Sequence, residues 1–184
     1  MFRAVWILLC FAPAVLHADP GNPAIDAGQH LRVVNQALQA REGRRLSEAG
    51  FLRLSRLPGA VILDARSAER FGEMHVSGAR HLAFPDFTEE ALAAVLPDKN
   101  APVLIYCNNN FVNQPRAFPT KRIEMALNLS TYAALHAYGY RNVYELGPLL
   151  DPARSLLPMS GSLTQADAPS TQAAAATAPF PDRR

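Results

Sequence analysis

Residues 102–107 read PVLIYC, and this stretch decides how the fold is interpreted. The continuous apolar run from Val103 to Tyr106 is typical of a short strand that is buried on both faces. Strands of this kind belong to parallel sheets, whose ligands bind beyond the carboxyl ends of the strands. Cys107 follows the strand directly. We expect loop N–H groups or a helix N-terminus to stabilise its thiolate and lower its pKa.

The sequence on either side alternates between helical spacing and short apolar runs. Helices are predicted for residues 22–41, for a stretch that opens at Ser47, and for residues 68–71, 89–96 and 126–138. Strands are predicted for residues 60–63, 80–84, 102–106 and 142–146. This alternation indicates an α/β domain with crossover connections and a mostly parallel sheet.

Composition excludes several classes of protein. The chain has 184 residues, a formal net charge of +2 and two cysteines. That charge is too close to zero for a protein that binds nucleic acid through a basic field. Two cysteines cannot by themselves build a thiolate zinc site or a disulfide framework. The histidines show no metal-ligand spacing, so we expect no metal.

The first 18 residues have the pattern of an export signal. Arg3 gives the N-terminal end a positive charge, and residues 4–16 are almost wholly apolar. Ala18 is a small residue at a position that suits cleavage by a signal peptidase. The apolar run is shorter than the roughly 20 residues that span a bilayer. We expect a secreted or periplasmic chain with no stable membrane anchor after cleavage, which would also remove Cys10. An uncleaved anchor or a buried helix is the alternative.

The chain divides into four predicted segments. These are a signal peptide (1–18), an N-terminal helical extension (19–43), a domain (44–151) and a C-terminal tail (152–184). The tail is rich in alanine, proline, serine and threonine, and it cannot bury enough apolar surface to offset its ordering entropy. We expect the tail to be largely disordered, mainly from about Gly161, with residues 154–159 as a short apolar segment that is able to pack.

Several motifs, in this order, resemble the rhodanese-like family over residues 44–150. Residues 45–47 fit its opening strand and first helix, and residues 61–67 (VILDARS) resemble its strand ending in Asp-x-Arg. The turn His75-Val-Ser-Gly-Ala79 resembles its His-Ile-x-Gly-Ala turn, residues 103–107 resemble the strand that delivers its nucleophile, and residues 133–143 resemble its late helix and last strand.

The resemblance implies a fold and a reaction. The fold is a five-stranded, mostly parallel sheet with helices on both faces. Cys107 would be the catalytic nucleophile, which takes up sulfane sulfur as a persulfide and passes it to a thiol or to cyanide. The implied ligands are a small sulfur-containing anion, a thiol acceptor or a partner protein, and no cofactor is implied.

The loop after Cys107 departs from the family pattern Cys-x-x-Gly-x-Arg. Asn110 stands at the glycine position and Val112 at the arginine position, and the helix stop at Gly139 comes late. Asparagine tolerates left-handed backbone and offers neutral donors to an anion. The positively charged residues later in the loop can replace the missing arginine or remain ordinary surface charges. The candidate substrate-binding residues are Asn108, Asn109, Asn110, Phe111, Val112, Arg116, Lys121 and Arg122. Within this loop, Phe111 and Phe118 are also interpreted as anchors that pack on the domain.

Three further residues are interpreted as structural support. Asp64 ends a predicted strand, where a carboxylate accepts loop N–H groups, and Arg66 is placed to pair nearby. The resemblance gives His75 a role in organising the turn before Gly78.

Three functions remain open at this point. The first is an exported sulfurtransferase of the thiosulfate or persulfide type, or a persulfide carrier. The second is a non-catalytic rhodanese-like module that binds a partner through the long loop, since a fold does not dictate a function. The third is phosphatase or arsenate chemistry, which needs an arginine near the sulfur that the first six loop residues do not supply.

Overall fold

The strand that ends at Cys107 lies at the centre of a five-stranded parallel sheet in the computed structural model, which describes residues 21–166. The strand order is β1-β6-β5-β2-β4, and every residue of β5 is buried. A separate antiparallel pair joins β3 and β7. The strands are β1 (Arg45–Leu46), β2 (Val61–Asp64), β3 (His75–Val76), β4 (Arg80–His81), β5 (Val103–Tyr106), β6 (Val143–Leu146) and β7 (Met159–Ser160).

Six helices connect or flank these strands within the described residues. The side chains of Asp26, Ser47, Ser67 and Thr88 each accept a backbone N–H at a helix start, which explains where these helices begin. In this part of the chain, no helix has the length and apolar character needed to cross a membrane. The helices are α1 (Ala27–Arg41), α2 (Glu48–Ser55), α3 (Ala68–Glu73), α4 (Glu89–Val95), α5 (Leu127–Ala137) and α6 (Ser162–Ala166).

The predicted fold class is confirmed, because both faces of the sheet are covered. Val103 and Ile105 pack in one core with residues of α1, α4 and α5. Leu104 and Tyr106 point to the opposite face and pack in a second core with α2 and the loop after Cys107. The predicted strand at 80–84 is shorter than expected, since β4 ends at His81 and a 3₁₀ turn (Phe84–Asp86) begins three residues later.

The N-terminal extension is attached to the domain through α1. This helix packs along α5, and its Arg41 donates to Glu145 on β6, with 2.9 Å between Nε and Oε2. The Glu145 carboxylate is buried, so Arg41 supplies the positive charge that it needs inside the protein.

In the C-terminal segment, the part that packs on the domain extends beyond the residues 154–159 that the sequence predicts. Leu157 is buried in the second core, and β7 pairs with the edge of β3. Gly161 lies close to Glu73: a Cβ added to Gly161 would be 2.5 Å from the carbonyl oxygen of Glu73. The expected disorder is wrong for residues 161–166, because they continue into α6, which contacts α3, and Leu163 packs against the second core. The predicted signal peptide and residues 167–184 lie outside the described residues.

Candidate active site

Cys107 lies at the carboxyl edge of the sheet, directly after β5. Its backbone is extended and opens a 3₁₀ turn over Asn108–Asn110. The residue is 2% exposed, and its thiol is free. The predicted nucleophile therefore lies at the ligand edge of the sheet, but deeper in the protein than the sequence alone indicates.

Backbone N–H groups from two segments favour the anionic form of the Cys107 sulfur and oppose the rise in its pKa. One belongs to Asn109 in the 3₁₀ turn, and the others belong to Leu127 and Asn128, the first two residues of α5. This helix has no side-chain cap and no acidic residue in its first turn. The uncapped N–H groups and the dipole at the start of this helix favour negative charge nearby.

Burial nevertheless raises the pKa of the Cys107 thiol above its ordinary value. Desolvation is the largest cause, the N–H groups of Asn128 and Asn109 oppose it, and the Glu145 carboxylate adds to the increase. The expectation of a lowered pKa is wrong, because the sequence indicated the N–H groups but not the depth of the sulfur.

Alkylation of Cys107 by iodoacetamide should accelerate with rising pH, with a midpoint above the approximate value of 8.5 for a free thiol. The reason is that a raised pKa leaves the neutral thiol dominant at pH 7, and only the thiolate reacts. The rate at Cys107 would be followed by peptide mass spectrometry beside N-acetylcysteine, with circular dichroism to verify the fold at each pH. A midpoint at or below about 8.5 would contradict this prediction.

Asn110 holds the cysteine and its surroundings together. Its Oδ1 accepts the backbone N–H of Cys107 at 2.9 Å and the side-chain amide of Asn128 at 3.2 Å. Its Nδ2 donates to the carbonyl of Leu146 at 2.8 Å. The residue that replaces the family glycine thus links the cysteine, α5 and the end of β6.

The other two asparagines fix the far part of the loop beside the cysteine. Asn108 donates to the carbonyl of Pro119 at 2.8 Å. Asn109 forms a reciprocal pair with the backbone of Lys121, at 2.9 Å and 3.0 Å. These side-chain donors were predicted to bind substrate, but in the structure they are bonded to the protein and shape the site.

Phe111 and Val112, also predicted to bind substrate, anchor the loop instead. Phe111 is buried, with its ring centroid 4.4 Å from that of Phe118. The N–H of Val112 donates to the Leu150 carbonyl at 2.9 Å in a short bridge. The apolar ring of Phe111 gains more from the second core than from a place in an open cavity.

The structure separates the three candidate cations. Arg116 is directed to Glu73, with Nε 2.7 Å from Oε1, and Arg122 pairs with Glu124. Lys121 lies in the wall of a cavity that Asn108 also lines. Arg70, which the sequence analysis missed, lies in the same wall. Its position on a short exposed helix offers no signal that separates it from an ordinary surface charge.

A buried ion pair supports the site from behind. Arg66 binds Asp64 through Nε and Nη2, and Tyr106 donates its hydroxyl to the same carboxylate. Arg66 also donates to the carbonyl of Ala117 at 2.8 Å and to that of Met74 at 2.7 Å. One guanidinium therefore connects the end of β2, the long loop and the start of β3.

His75 is the first residue of β3, two residues after the end of α3. Its Nδ1 is 2.7 Å from the carbonyl oxygen of Phe71, and the two rings stack with centroids 3.9 Å apart. Both contacts hold the His75 ring against Phe71 of α3.

A cavity of about 420 Å³ adjoins Asn108, the residue after the cysteine, but Cys107 itself does not line it. Leu127, the first residue of α5, also lines this cavity. Most of the remaining wall is apolar, while its cations are Arg66, Arg70 and Lys121. Among residues 21–166, no group of three or more histidine, cysteine, aspartate or glutamate side chains could hold a metal ion.

The fold and the site define a class of protein: a parallel α/β domain with a free cysteine after its central strand, facing the N-terminus of the next helix. The family model of the rhodanese-like domain matches residues 47–147. The chain therefore belongs to the rhodanese-like domain family.

Individual relatives are distant. Thiosulfate sulfurtransferase GlpE from two strains of Pseudomonas putida is 33% identical over 79 residues, or 41% of this chain. The aligned part covers 66% of those relatives, slightly less than two thirds of their length. A solved rhodanese with anions from E. coli shares 25% identity over 56% of this chain and 99% of its own, with a TM-score of 0.39. The BH2092 protein of Bacillus halodurans shares 17% identity over 72% and 88% of the two chains, with a TM-score of 0.45.

Proposed function

We propose that this chain is an exported sulfurtransferase or persulfide carrier, in which Cys107 takes up sulfane sulfur and passes it to a thiol or another acceptor. The observation that carries the proposal is the position of the free thiol of Cys107, directly after the central strand β5 at the carboxyl edge of the parallel sheet. The backbone N–H groups of Asn128, Asn109 and Leu127 each favour the thiolate and so lower the pKa against the larger effect of burial. Membership of the rhodanese-like family and the similarity to thiosulfate sulfurtransferases support the same chemistry.

The proposed reaction is a pair of sulfur exchanges. The Cys107 thiolate attacks the sulfane sulfur of the donor, a new S–S bond forms, and the donor's own bond to that sulfur breaks. The remainder of the donor leaves with the electron pair, as sulfite in the case of thiosulfate. An acceptor thiolate then attacks the outer sulfur and releases the Cys107 thiolate. The N–H groups would stabilise the anionic outer sulfur between the two steps.

Export is part of the proposal and rests on the sequence of residues 1–18. Cys107 is the one cysteine among residues 21–166, so a chain cleaved after Ala18 would retain a single thiol. N-terminal sequencing of the chain recovered from the periplasm or medium tests this part: cleavage after Ala18 gives Asp19 as the first residue, and an intact Met1 contradicts it.

Incubation with thiosulfate or an organic persulfide should add about 32 Da, the mass of one sulfur atom, to Cys107. A thiol acceptor should then remove the added mass. Peptide mass spectrometry locates the adduct, and Cys107→Ser is the matched control, which should take up no sulfur at this peptide. Absence of an adduct from all donors on the folded chain contradicts the proposal.

The burial of Cys107 favours a second candidate, a non-catalytic module that binds a partner through the long loop. A folded chain that takes up sulfur from no donor would support this candidate. Phosphatase or arsenate chemistry gains no comparable support, because Arg66 in the cavity wall is engaged with Asp64 and two carbonyl groups.

A further inference from the structure

Glu145 is a buried carboxylate on the strand next to the one that ends at Cys107. It lies in register with Ile105, which precedes Cys107 by two residues, and the backbone of Cys107 is extended. Because side chains alternate along a strand, Glu145 and Cys107 project to the face of the sheet that Ile105 shares with α1 and α5. A strand spacing of about 4.8 Å and a rise of about 3.3 Å per residue separate their backbone positions by about 8 Å. A charge on Glu145 therefore acts on any charge that forms at Cys107.

Arg41 of α1 supplies the counter-charge for this carboxylate. Its Nε lies 2.9 Å from Oε2 of Glu145, and its Nη2 pairs with Oε1, so both carboxylate oxygens are bound. The Glu145 side chain is 2% exposed and that of Arg41 is 24% exposed, so salt screens this pair less than a surface pair. A bidentate contact of this kind fixes the orientation of the carboxylate as well as neutralising it.

Two further arginines lie close to Glu145 but do not bind its carboxylate. Arg44 donates to Oδ1 of Asn142 at 3.2 Å, and its guanidinium lies over the Tyr144 ring, 4.8 Å from the centroid. Arg45 of β1 is the register partner of Glu145, and its side chain is exposed. The neutralisation of Glu145 thus depends on Arg41.

The other ionisable groups near the cysteine do not replace this pair. Burial raises the pKa of Tyr132 on α5, so its hydroxyl stays neutral near neutral pH. On the other neighbouring strand, Asp64 is in register with Tyr106 and pairs with Arg66, and it therefore belongs to the opposite face of the sheet. The charge that shares a face with Cys107 is that of Glu145.

The helix that carries Arg41 lies outside the part of the chain that the family model matches. That match covers residues 47–147, whereas α1 ends at Arg41. The same helix packs along α5, whose first two N–H groups favour the thiolate of Cys107. An element added to the rhodanese-like domain thus reaches the surroundings of the cysteine.

We propose that Arg41 is a positioning residue for Cys107: by holding and neutralising Glu145, it allows negative charge to form on the sulfur. The inference rests on the proposed function, because the attacking thiolate and the outer sulfur of the persulfide are both anionic. With Arg41 in place, the Glu145 carboxylate already contributes to the raised pKa of the thiol. Without Arg41, the same carboxylate would oppose the thiolate more strongly.

The test measures iodoacetamide alkylation of Cys107 on the full chain from pH 8 upward, well above the range in which an ordinary carboxylate titrates. At pH 8, Arg41→Met should slow alkylation about tenfold, because the negative charge of Glu145 is then uncompensated. Glu145→Gln should accelerate it about fivefold, and the double variant should lie between the two single variants. Both single changes break the same hydrogen bonds, so structural damage alone would move both rates in one direction. Sulfur uptake from a persulfide donor should follow the same order.

Arg32→Met is the matched control, because Arg32 is an exposed arginine of the same helix that bonds to Gln29. It should leave the alkylation rate within about twofold, and Arg41→Lys should keep most of the rate because it keeps the charge. Circular dichroism verifies the fold of each variant, and Glu145→Gln keeps the test decisive if Arg41→Met does not fold.

The inference is overturned if Arg41→Met and Glu145→Gln change the alkylation rate in the same direction. It is also overturned if Glu145→Gln, or a folded Arg41→Met chain, stays within about twofold of the unchanged chain. Alkylation does not depend on sulfur transfer. If the alkylation rates follow the expected order but no donor labels Cys107, the role of Arg41 is supported and the proposed function has failed.

Discussion

Replacement of Arg66 by methionine should lower the free energy of unfolding by about 3–5 kcal/mol. The guanidinium is buried against Asp64, with the side chains 2% and 0% exposed. Removal of one partner leaves the carboxylate buried without its counter-charge, and the carbonyl oxygens of Ala117 and Met74 also lose their donor. The measurement is urea unfolding followed by circular dichroism.

Two controls make the Arg66 result interpretable. Arg53→Met removes an exposed arginine from α2 and should change stability by about 0.5 kcal/mol or less. Arg66 and Asp64 changed together to methionine and leucine should recover part of the lost stability, since no buried charge then remains. A loss below about 1 kcal/mol in Arg66→Met would show that this buried ion pair does not hold the loop to the sheet.

The second large effect is expected at Asn110. Asn110→Ala should lower the free energy of unfolding by about 2–4 kcal/mol and slow sulfur uptake by at least about tenfold. The change leaves the N–H of Cys107 and the carbonyl of Leu146 buried without their partner. It also frees the side chain of Asn128, so the cysteine is no longer held against α5.

Unfolding in urea and uptake from a persulfide donor would be measured on the same preparation. Asn100→Ala is the control, because Asn100 is exposed and its side chain lies outside the site. If Asn110→Ala behaves like this control in both measurements, the hydrogen bonds of Asn110 do not position Cys107. If Asn110→Asp retains the acceptor bonds but also loses stability, the donation to the Leu146 carbonyl is the contact that matters.

Patterns among neighbouring residues predicted one part of the site and missed another. The apolar run from Val103 to Tyr106 indicated a buried strand, because a strand buried on both faces has consecutive apolar residues. The cysteine that follows it indicated a reactive group at the end of that strand. The three asparagines were recognised as unusual, but their partners were not. Asn109 meets Lys121 12 positions later, and Asn110 meets Leu146 36 positions later. Such contacts follow from the path of the loop, which no local pattern describes.

The sequence by itself determined the α/β class, the order of the main elements, the family and the position of Cys107 after the central strand. Those features depend on apolar periodicity, helix caps and motif order, all of which act over a few residues. Only the tertiary structure decided that the sulfur is buried with a raised pKa, that Lys121 rather than Arg116 or Arg122 lines the cavity, and that packing on the domain extends to Leu163. Each of these depends on which distant segments meet, since desolvation and ion pairing are set by the surroundings of a group and not by its neighbours in the chain.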